Sequence, residues 1–429
     1  MILIYNVFLV IYFLGIRIVS IANAKARLWI KGRRNIFNRI QAAYNPEGSK
    51  KIWMHCASLG EFEQGRPVLK RLKEAYPDIS IIITFFSPSG YETAKNNKDF
   101  KNVFYLPVDA AANANRLIEI LQPDLVLWVK YEYWYYYLLE IKKRNIPLIM
   151  VSGVYHSKQI FFKWYGSLYR KMLRSFTHFF VQNVSSKNEL IKLISEEKIT
   201  VSGDTRCDRV ISIAESFTDI LPIKAFCGNN QVIVAGSTWE ADEAEWTHYV
   251  KNHPSIKFIF APHEIDEENL CDVKKEFSGS LFYSEWLKMY ESASTTGQAG
   301  GNEYAKANCL IIDNIGMLSR LYYYASVTYV GGGFGYNGLH NILEAAVYGK
   351  PVIFGPEYDK NFEAEELMDC SGGISIENAL ELEKVVNQLL NNPEELRARG
   401  DAARNYVYKN AGASTKIVEY IQANRLLTS

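Results

Sequence analysis

Apolar runs of strand length alternate with amphipathic segments of helix length along most of the 429-residue chain. A first series predicts strands near 51–56, 79–86, 102–106, 124–129, 147–151 and 177–182. A second series contains QVIVAGS from residue 231, IKFIFAP, NCLIID, SVTYVGG and KPVIFGP. Alternating strands and helices favour parallel sheets covered by helices on both faces. The chain is therefore predicted to form two doubly wound α/β domains, with a helix and turns around 203–230 closing the first series.

The N-terminus has a different character. An apolar run from Ile2 to Ile16 is followed by basic residues, which are Lys25, Arg27, Lys31, Arg33, Arg34 and Arg39. A signal peptide carries its positive charge before the apolar run, whereas here the charge follows it. This order predicts a membrane anchor over 1–24 with the body of the protein on the cytoplasmic side. The ANA sequence at 22–24 keeps a cleaved signal peptide as the alternative, and spanning or lying in the membrane are both left open.

Composition excludes several other kinds of protein. The 48 Lys and Arg nearly balance the 47 Asp and Glu, so no overall charge attracts a nucleic acid. The six cysteines form no C-x-x-C pair, which argues against a zinc knuckle and a disulfide framework. D-x-D and H-E-x-x-H motifs are both missing from the sequence. We therefore expect no metal site and no cofactor.

A glycine-rich stretch, VGGGFGYNGLHNILEAAVYGKPVIFGPE, begins at residue 330. Gly333, Gly335 and Gly338 have the G-x-G-x-x-G spacing of a dinucleotide site, but that fingerprint belongs in the first strand-to-helix turn of a domain. We expect backbone N–H groups of 331–335 to approach a phosphate before a helix at about 339–348. Glu344 would accept hydrogen bonds from a ribose, or would be an ordinary acid in the first turn of a helix.

Two similar sequences follow the first strand of each series. HCASLGE and VAGSTWE both place Ser three residues before Glu at a helix start, which is the pattern of a capping box. Glu61 in the first sequence is therefore either a structural cap paired with Ser58 or an ionised carboxylate favoured by the helix dipole. These residues lie in strand-to-helix loops, where open α/β sheets bind their ligands.

The glycine-rich stretch closely resembles the C-terminal signature of the transferases of 3-deoxy-D-manno-octulosonic acid (Kdo). Further collinear matches are WMHCASLGE, GDTRCD, AGSTWEADE, APHEIDEEN and DNIGML. The resemblance runs from the anchor to the last helix and implies the GT-B fold, in which two Rossmann-like domains face a cleft. It implies an acceptor domain over 25–220 and a donor domain over 221–429, with the last helix packing back on the first domain.

The resemblance also implies roles for individual residues. Glu61 would be the general base, and Glu132 and Arg206 would support the transition state, although a structural acid and base pair is the alternative for these two. CMP-binding positions would be Pro262, His263, Gly316, Met317, Leu318, Asn341, Ile342, Leu343 and Glu344. His263 and Leu318 depart from the family pattern, which has Arg and Glu there, and Lys130 replaces the first acid of the family segment that contains Glu132.

The implied reaction moves Kdo from CMP-Kdo to the lipid A precursor at the inner membrane, with inversion and without a metal. The basic segment 159–176 fits an anionic membrane surface if it forms one helix with Phe161, Tyr165, Leu168 and Met172 on its apolar stripe. The same stripe would also suit a core-facing helix. Rival functions are a GT-B transferase that uses a UDP-sugar, a sugar-nucleotide 2-epimerase and an inactive membrane-tethered binding module.

Overall fold

The computed structural model describes residues 1–46, 48–97, 99–130, 132–296, 307–335, 338–359 and 361–427. It divides into two compact units, one of residues 1–209 with 411–429 and one of residues 210–410. Each unit contains one seven-stranded sheet in which all the neighbouring strands are parallel.

The first sheet has the strand order β3-β2-β1-β4-β5-β6-β7. Its strands are β1 Lys50–Cys56, β2 Ile79–Phe85, β3 Asn102–Tyr105, β4 Leu125–Val129, β5 Leu148–Gly153, β6 His178–Val181 and β7 Ile199–Val201. Successive residues of a strand point to opposite faces of the sheet. Trp53 accordingly packs in one hydrophobic cluster and Met54 in the other, so helices cover both faces.

Among the described residues, ten α-helices precede, connect or follow these strands. They are α1 Ile2–Val19, α2 Ala24–Arg33, α3 Ile36–Ala43, α4 Leu59–Ala75, α5 Pro88–Ala94, α6 Ala111–Leu121, α7 Tyr135–Lys143, α8 Ser167–Leu173, α9 Val184–Leu190 and α10 Thr205–Glu215. By length and composition α1 can cross a membrane, since its mean hydropathy is 2.3. It also contacts the domain, because Tyr5 and Leu9 are buried in the cluster that contains Trp53.

The second sheet has the order β10-β11-β9-β8-β12-β13-β14. Its strands are β8 Val232–Thr238, β9 Lys257–Pro262, β10 Leu281–Phe282, β11 Cys309–Ile311, β12 Val327–Val330, β13 Val352–Phe354 and β14 Gly373–Ser375. The later helices are α11 Leu221–Cys227, α12 Glu240–Asn252, α13 Glu267–Glu276, α14 Tyr283–Thr296, α15 Leu318–Leu321, α16 Leu343–Ala346, α17 Phe362–Asp369, α18 Ala379–Asn391, α19 Pro393–Lys409 and α20 Ala413–Ala423. The last of these, α20, packs with α4 in the first unit, where Ile417 and Ile421 are fully buried.

Three predicted segments differ from the structure. The helix expected over 339–348 is the single turn of α16, because the residues before it leave the glycine-rich turn in an irregular path. The expected helix over 159–176 is broken between a 3-10 turn at Ile160–Phe162 and α8. Phe161, Leu168 and Met172 are buried in the core, whereas Tyr165 lies in the break and is 47% exposed.

The third difference concerns 291–303, which the small polar residues predict to be a surface loop. The helix α14 continues through Thr296, and 297–306 lie outside the described residues. A stretch of Ser, Ala and Thr at the end of an amphipathic helix lacks an apolar pattern, so it does not reveal that the helix continues.

Candidate functional site

Each sheet has a point at which the strand order reverses direction. In the first sheet it lies between β1 and β4, and in the second between β8 and β12. The helices that follow two such strands lie on opposite faces of the sheet and leave a crevice at the carboxyl ends, where ligands of this architecture bind. Glu61 follows β1 and Glu132 follows β4, while the glycine-rich turn follows β12. The sequence motifs therefore lie at both reversal points.

Glu61 lies in the first turn of α4 and is only 8% exposed. Its Oε2 accepts a hydrogen bond from the backbone N–H of Ala57, which is one residue before the N-cap. Ser58 occupies the N-cap position, but its side chain makes no capping bond. The Ser58 side-chain bond of the expected capping box is therefore missing, and the bond from Ala57 orients the Glu61 carboxylate back towards the end of β1.

Glu132 is oriented by a chain of side-chain hydrogen bonds. Its Oε2 accepts from Trp134 Nε1 at 2.9 Å and lies 3.3 Å from His55 Nε2. The other ring nitrogen of His55 is 2.9 Å from Thr84 Oγ1, which also accepts from Trp53 Nε1 at 2.8 Å. A carboxylate only accepts, so a neutral His55 carries its proton on Nε2 and accepts at Nδ1 from the Thr84 hydroxyl.

Glu61 and Glu132 are brought to the same end of β1. Cys56 is the last residue of that strand, and burial raises the pKa of its thiol. The Glu61 carboxylate bonds to the N–H of Ala57 and Glu132 Oε2 lies 3.3 Å from His55 Nε2, so both acids lie beside Cys56, and their charges and that of Glu63 raise its pKa further. Two acids with different surroundings at one strand end are a suitable arrangement for proton transfer.

Arg206 forms an ion pair with Asp204 at the start of α10. The Asp204 carboxylate is 2.6 Å from Nη2 of Arg206 and accepts hydrogen bonds from Nε at 2.8 Å and from the Arg206 backbone N–H at 2.9 Å. Burial acts to raise the pKa of Asp204, but the charges of Arg206 and Lys130 outweigh this effect and hold the pKa below its ordinary value. Asp204 is therefore an ionised partner that fixes the guanidinium near the carboxyl ends of the strands.

In the second unit, the glycine-rich turn is held by an acid of the protein. The backbone N–H of Gly332 donates to Asp242 Oδ2 at 2.8 Å, and the N–H of Trp239 donates to the same oxygen at 2.9 Å. Tyr329 donates its hydroxyl to Asp242 Oδ1 at 2.6 Å. The N–H of Gly331 donates to Gly236 O at 2.9 Å. These two glycine N–H groups are already satisfied, which corrects the expectation that they would bind a phosphate.

The second capping box is also placed differently from the prediction. Trp239 is the N-cap of α12, and Asp242, three residues later, accepts its backbone N–H. Ser237 has φ 54° and Glu240 is the first helical residue, so the expected Ser237 and Glu240 pair does not form the box. Asp242 therefore links the start of α12 to the glycine-rich turn.

Three aromatic rings form a cluster beside this turn. The His263 ring packs against Trp239 at 4.6 Å and against His340 at 4.4 Å, measured between centroids, with 25° between planes in both pairs, and the Trp239 and His340 rings are themselves 6.3 Å apart. Trp239 Nε1 donates to Nε2 of His340 at 3.1 Å. Burial, followed by the charge of His263, lowers the pKa of His340 to about 4. His340 is therefore neutral near pH 7 and carries its proton on Nδ1, which provides a donor.

The remaining predicted donor positions lie around the same strand ends. Pro262 ends β9, while Gly316, with φ 96°, and Met317 precede Leu318 at the start of α15. The other four positions are Asn341, Ile342, Leu343 and Glu344, at and before α16.

Their side chains differ in accessibility. Ile342 and Leu343 are fully buried, so their side chains are not available to a ligand. Asn341 Nδ2 donates to Glu344 Oε1 at 3.2 Å, which orients that carboxylate.

Glu243 gives a testable pH dependence in the second unit. Burial raises its pKa from 4.5 to about 7, and Thr238 donates its hydroxyl to Oε1 at 2.7 Å. Between about pH 4.5 and about pH 7 the folded state keeps this proton and the unfolded state does not. The free energy of unfolding therefore falls as the pH rises through that range. Glu243→Gln keeps an acceptor for Thr238 and does not titrate. We expect its stability relative to wild type to rise by up to about 3 kcal/mol across that window, measured by urea unfolding.

Asp242, whose pKa burial also raises, is present in both proteins, so the difference between them reports on Glu243. A difference that stays constant from pH 4.5 to 8 would contradict the assignment.

Sequence reasoning missed several of these residues. His55, Thr84, Trp239 and His340 make the contacts that orient the predicted ones, and all but Thr84 lie inside the quoted motifs. Thr84 had no local signal, because it reaches His55 only through the pairing of β1 with β2. Among the described residues, no group of three or more His, Cys, Asp or Glu is arranged to hold a metal ion.

Comparison with known proteins identifies similar sequences over most of the chain. The family model described as 3-deoxy-D-manno-octulosonic-acid transferase (kdotransferase) matches residues 32–209. The 3-deoxy-D-manno-octulosonic acid transferase of Chlamydia trachomatis is 26% identical over 382 residues, which are 87% of this chain and 85% of that one. The enzyme of the same name from Haemophilus influenzae is 23% identical over 429 residues, which are 96% and 95% of the two chains.

A solved structure confirms the architecture. The UDP-GlcNAc 2-epimerase of Neisseria meningitidis aligns with a TM-score of 0.63, covering 87% of this chain and 100% of that chain. Its sequence identity is 16%, so the likeness concerns the fold alone. Two doubly wound parallel-sheet domains of the GT-B kind, expected from the sequence, are thereby confirmed.

Proposed function

We propose that this chain, which is similar over most of its length to 3-deoxy-D-manno-octulosonic acid transferases, is a glycosyltransferase of lipopolysaccharide synthesis that transfers Kdo from CMP-Kdo to the lipid A precursor with inversion. The proposed base is Glu61. The observation that carries the mechanism is the pair of carboxylates at the end of β1, where Glu61 bonds to the N–H of Ala57 and Glu132 lies 3.3 Å from His55, at the reversal point of the first sheet.

In this mechanism the acceptor hydroxyl attacks C2 of Kdo while the bond from C2 to the CMP phosphate oxygen breaks. Glu61 takes the hydroxyl proton, and the electron pair of the broken bond leaves with CMP. A carboxylate near a helix N-terminus is favoured as the anion, which a general base must be. Arg206, held by Asp204, would stabilise negative charge on the donor carboxylate or the departing phosphate.

Support for the donor site comes from the second unit. His263 occupies the place where the family pattern has Arg, and its ring packs against both Trp239 and His340. This cluster supplies ring faces and, from His340 Nδ1, a hydrogen-bond donor for a nucleotide. No divalent cation is required in this proposal, because CMP-Kdo has a single phosphate.

We also propose that the protein acts at the cytoplasmic face of the inner membrane. The apolar helix α1 is followed by basic residues, as expected for a body retained in the cytoplasm. Trp164 is 90% exposed beside Lys163, and an exposed Trp next to a cation is typical of a membrane interface.

The test is transfer by the full-length protein in detergent with CMP-Kdo and tetraacylated lipid A precursor, followed by mass spectrometry of the lipid. We expect one or more Kdo increments, and their number would show how many transfers occur. UDP-GlcNAc is the matched donor control and is expected to give no product. Transfer from a UDP-sugar, or conversion of UDP-GlcNAc to its epimer, with no Kdo increment would contradict the proposal.

A further inference from the structure

The helices α1 and α2 enclose, with the following domain, a pocket of about 710 Å³ that we call the hairpin pocket. Its apolar lining consists of Val10, Phe13, Leu14, Trp29, Ile30 and Val108. This volume lies within the roughly 300–1,000 Å³ of typical small-molecule sites. No step of the mechanism described above involves this pocket.

The hairpin pocket opens on the apolar outer face of α1. Val10 and Leu14 line it and are nevertheless 59% and 52% exposed. Leu3, Ile4 and Ile11 on the same helix are 63–76% exposed. A continuous apolar helix face of this kind suits the acyl region of a membrane, so a lipid chain can enter the pocket without crossing water.

The same pocket carries positive charge. Arg17, Arg33 and Arg34 complete its lining, which contains no acid. The first 46 residues of the chain contain seven Lys and Arg and no Asp or Glu. Arg17 and Arg34 are exposed, so an anionic headgroup can reach them. Apolar walls with arginines match a lipid that has both an acyl chain and a phosphate.

Arg33 gives this pocket a rigid base. Its guanidinium lies 3.8 Å from the centre of the Trp29 ring and 4.9 Å from that of Phe86. Its Nε donates to Leu106 O at 2.9 Å and its Nη2 to Phe86 O at 2.7 Å. These acceptors are neutral carbonyls, so the positive charge of Arg33 adds to that of the pocket.

The wall of the pocket continues to the proposed catalytic site. The Phe86 ring, which contacts Arg33, packs 4.7 Å from the ring of Trp134. Trp134 in turn donates to Glu132. Tyr12 of α1 stacks on Phe86 with a centroid distance of 6.3 Å. This continuity favours the reacting acceptor over a bulk phospholipid as the occupant.

We propose that the hairpin pocket binds one acyl chain of the phosphorylated acceptor lipid, with Arg17 and Arg34 contacting its phosphate. The inference rests on the proposed function, since it assigns a location to the lipid of that reaction. Each methylene buried in such a pocket strengthens binding by about fourfold. Blocking the pocket should therefore weaken the binding of an acylated acceptor more than that of an acceptor without acyl chains.

The test compares Leu14→Trp with wild type in the full-length protein. The KM for tetraacylated, bisphosphorylated lipid A precursor is divided by the KM for its deacylated, water-soluble form. We expect this ratio to rise at least tenfold, because the larger side chain fills the pocket. Ile11→Trp is the matched control, since Ile11 is exposed on the same helix but does not line the pocket, and its ratio should stay within twofold of wild type. Val10→Phe provides a second pocket variant if Leu14→Trp fails to fold.

A binding measurement separates this inference from the proposed function. Acceptor lipid carrying a photoreactive acyl chain is crosslinked to wild-type protein without CMP-Kdo, and the labelled residues are mapped by mass spectrometry. Labels on Val10, Phe13, Leu14 or Ile30 support the pocket even if no Kdo is transferred.

Equal KM ratios for Leu14→Trp and Ile11→Trp, or labels confined to other helices, would overturn the inference. The inference would also fail if phosphatidylglycerol vesicles reduced the crosslinking as strongly as unlabelled acceptor lipid does, because the pocket would then be a site for bulk lipid. Transfer by wild type with no labels in the pocket would refute the inference and leave the proposed function intact.

Discussion

Replacing Glu61 with Gln is expected to lower the kcat of Kdo transfer by roughly 10²- to 10⁴-fold, which is the usual contribution of a general base. Gln keeps an oxygen that can accept the Ala57 N–H, so the start of α4 should remain formed. It cannot remove a proton from the acceptor. The measurement is kcat for transfer from CMP-Kdo, made alongside the thermal midpoint of each protein.

Ser58→Ala is the control that distinguishes the base from a cap. Ser58 is at the N-cap but makes no side-chain capping bond, so its loss should change neither kcat nor Tm appreciably. If Glu61→Gln retained near wild-type kcat, Glu61 would be a structural residue and the proposed base would be wrong. A large fall in Tm for Ser58→Ala would show instead that the capping box forms in solution.

Replacing Arg206 with Ala is expected to destabilise the protein by about 3–5 kcal/mol, because it leaves the buried charge of Asp204 without its partner. Asp204 is 8% exposed and its pKa is held low by Arg206, so it stays ionised in the folded protein. Urea unfolding at pH 7 measures this loss. Lowering the pH should reduce it, since protonation of Asp204 removes the unpaired charge.

The double variant Asp204→Asn, Arg206→Met separates stability from catalysis. The Asn side chain can still accept the backbone N–H of residue 206 and so cap α10. The substitution also removes both charges of the pair, so most of the lost stability should return. If Arg206 also supports the transition state, kcat should remain low in this stable protein. Recovery of both stability and kcat would show that Arg206 is only a structural partner of Asp204.

Much of the fold was predictable because local patterns specify it. All the apolar runs assigned to strands lie in strands of the two sheets. The three strands that were missed, β7, β10 and β14, have only two or three residues and lie at sheet edges. An edge strand of that length has no extended apolar run, because fewer neighbours cover it. Glu61 and Glu132 were singled out through the family resemblance, in motifs that lie shortly after the recognisable strands β1 and β4.

The order of strands and helices, the apolar character of α1 and the positions of the candidate acids were determined by the sequence itself, through periodicity and motifs confined to short segments. Tertiary structure alone decided that Thr84 meets His55, that Asp242 satisfies the N–H of Gly332, and that α1 and α2 enclose a pocket. Those contacts join residues 29, 90 and 98 positions apart, the last from Val10 to Val108. Strand register and helix packing bring such residues together, and both depend on the whole core rather than on any local pattern.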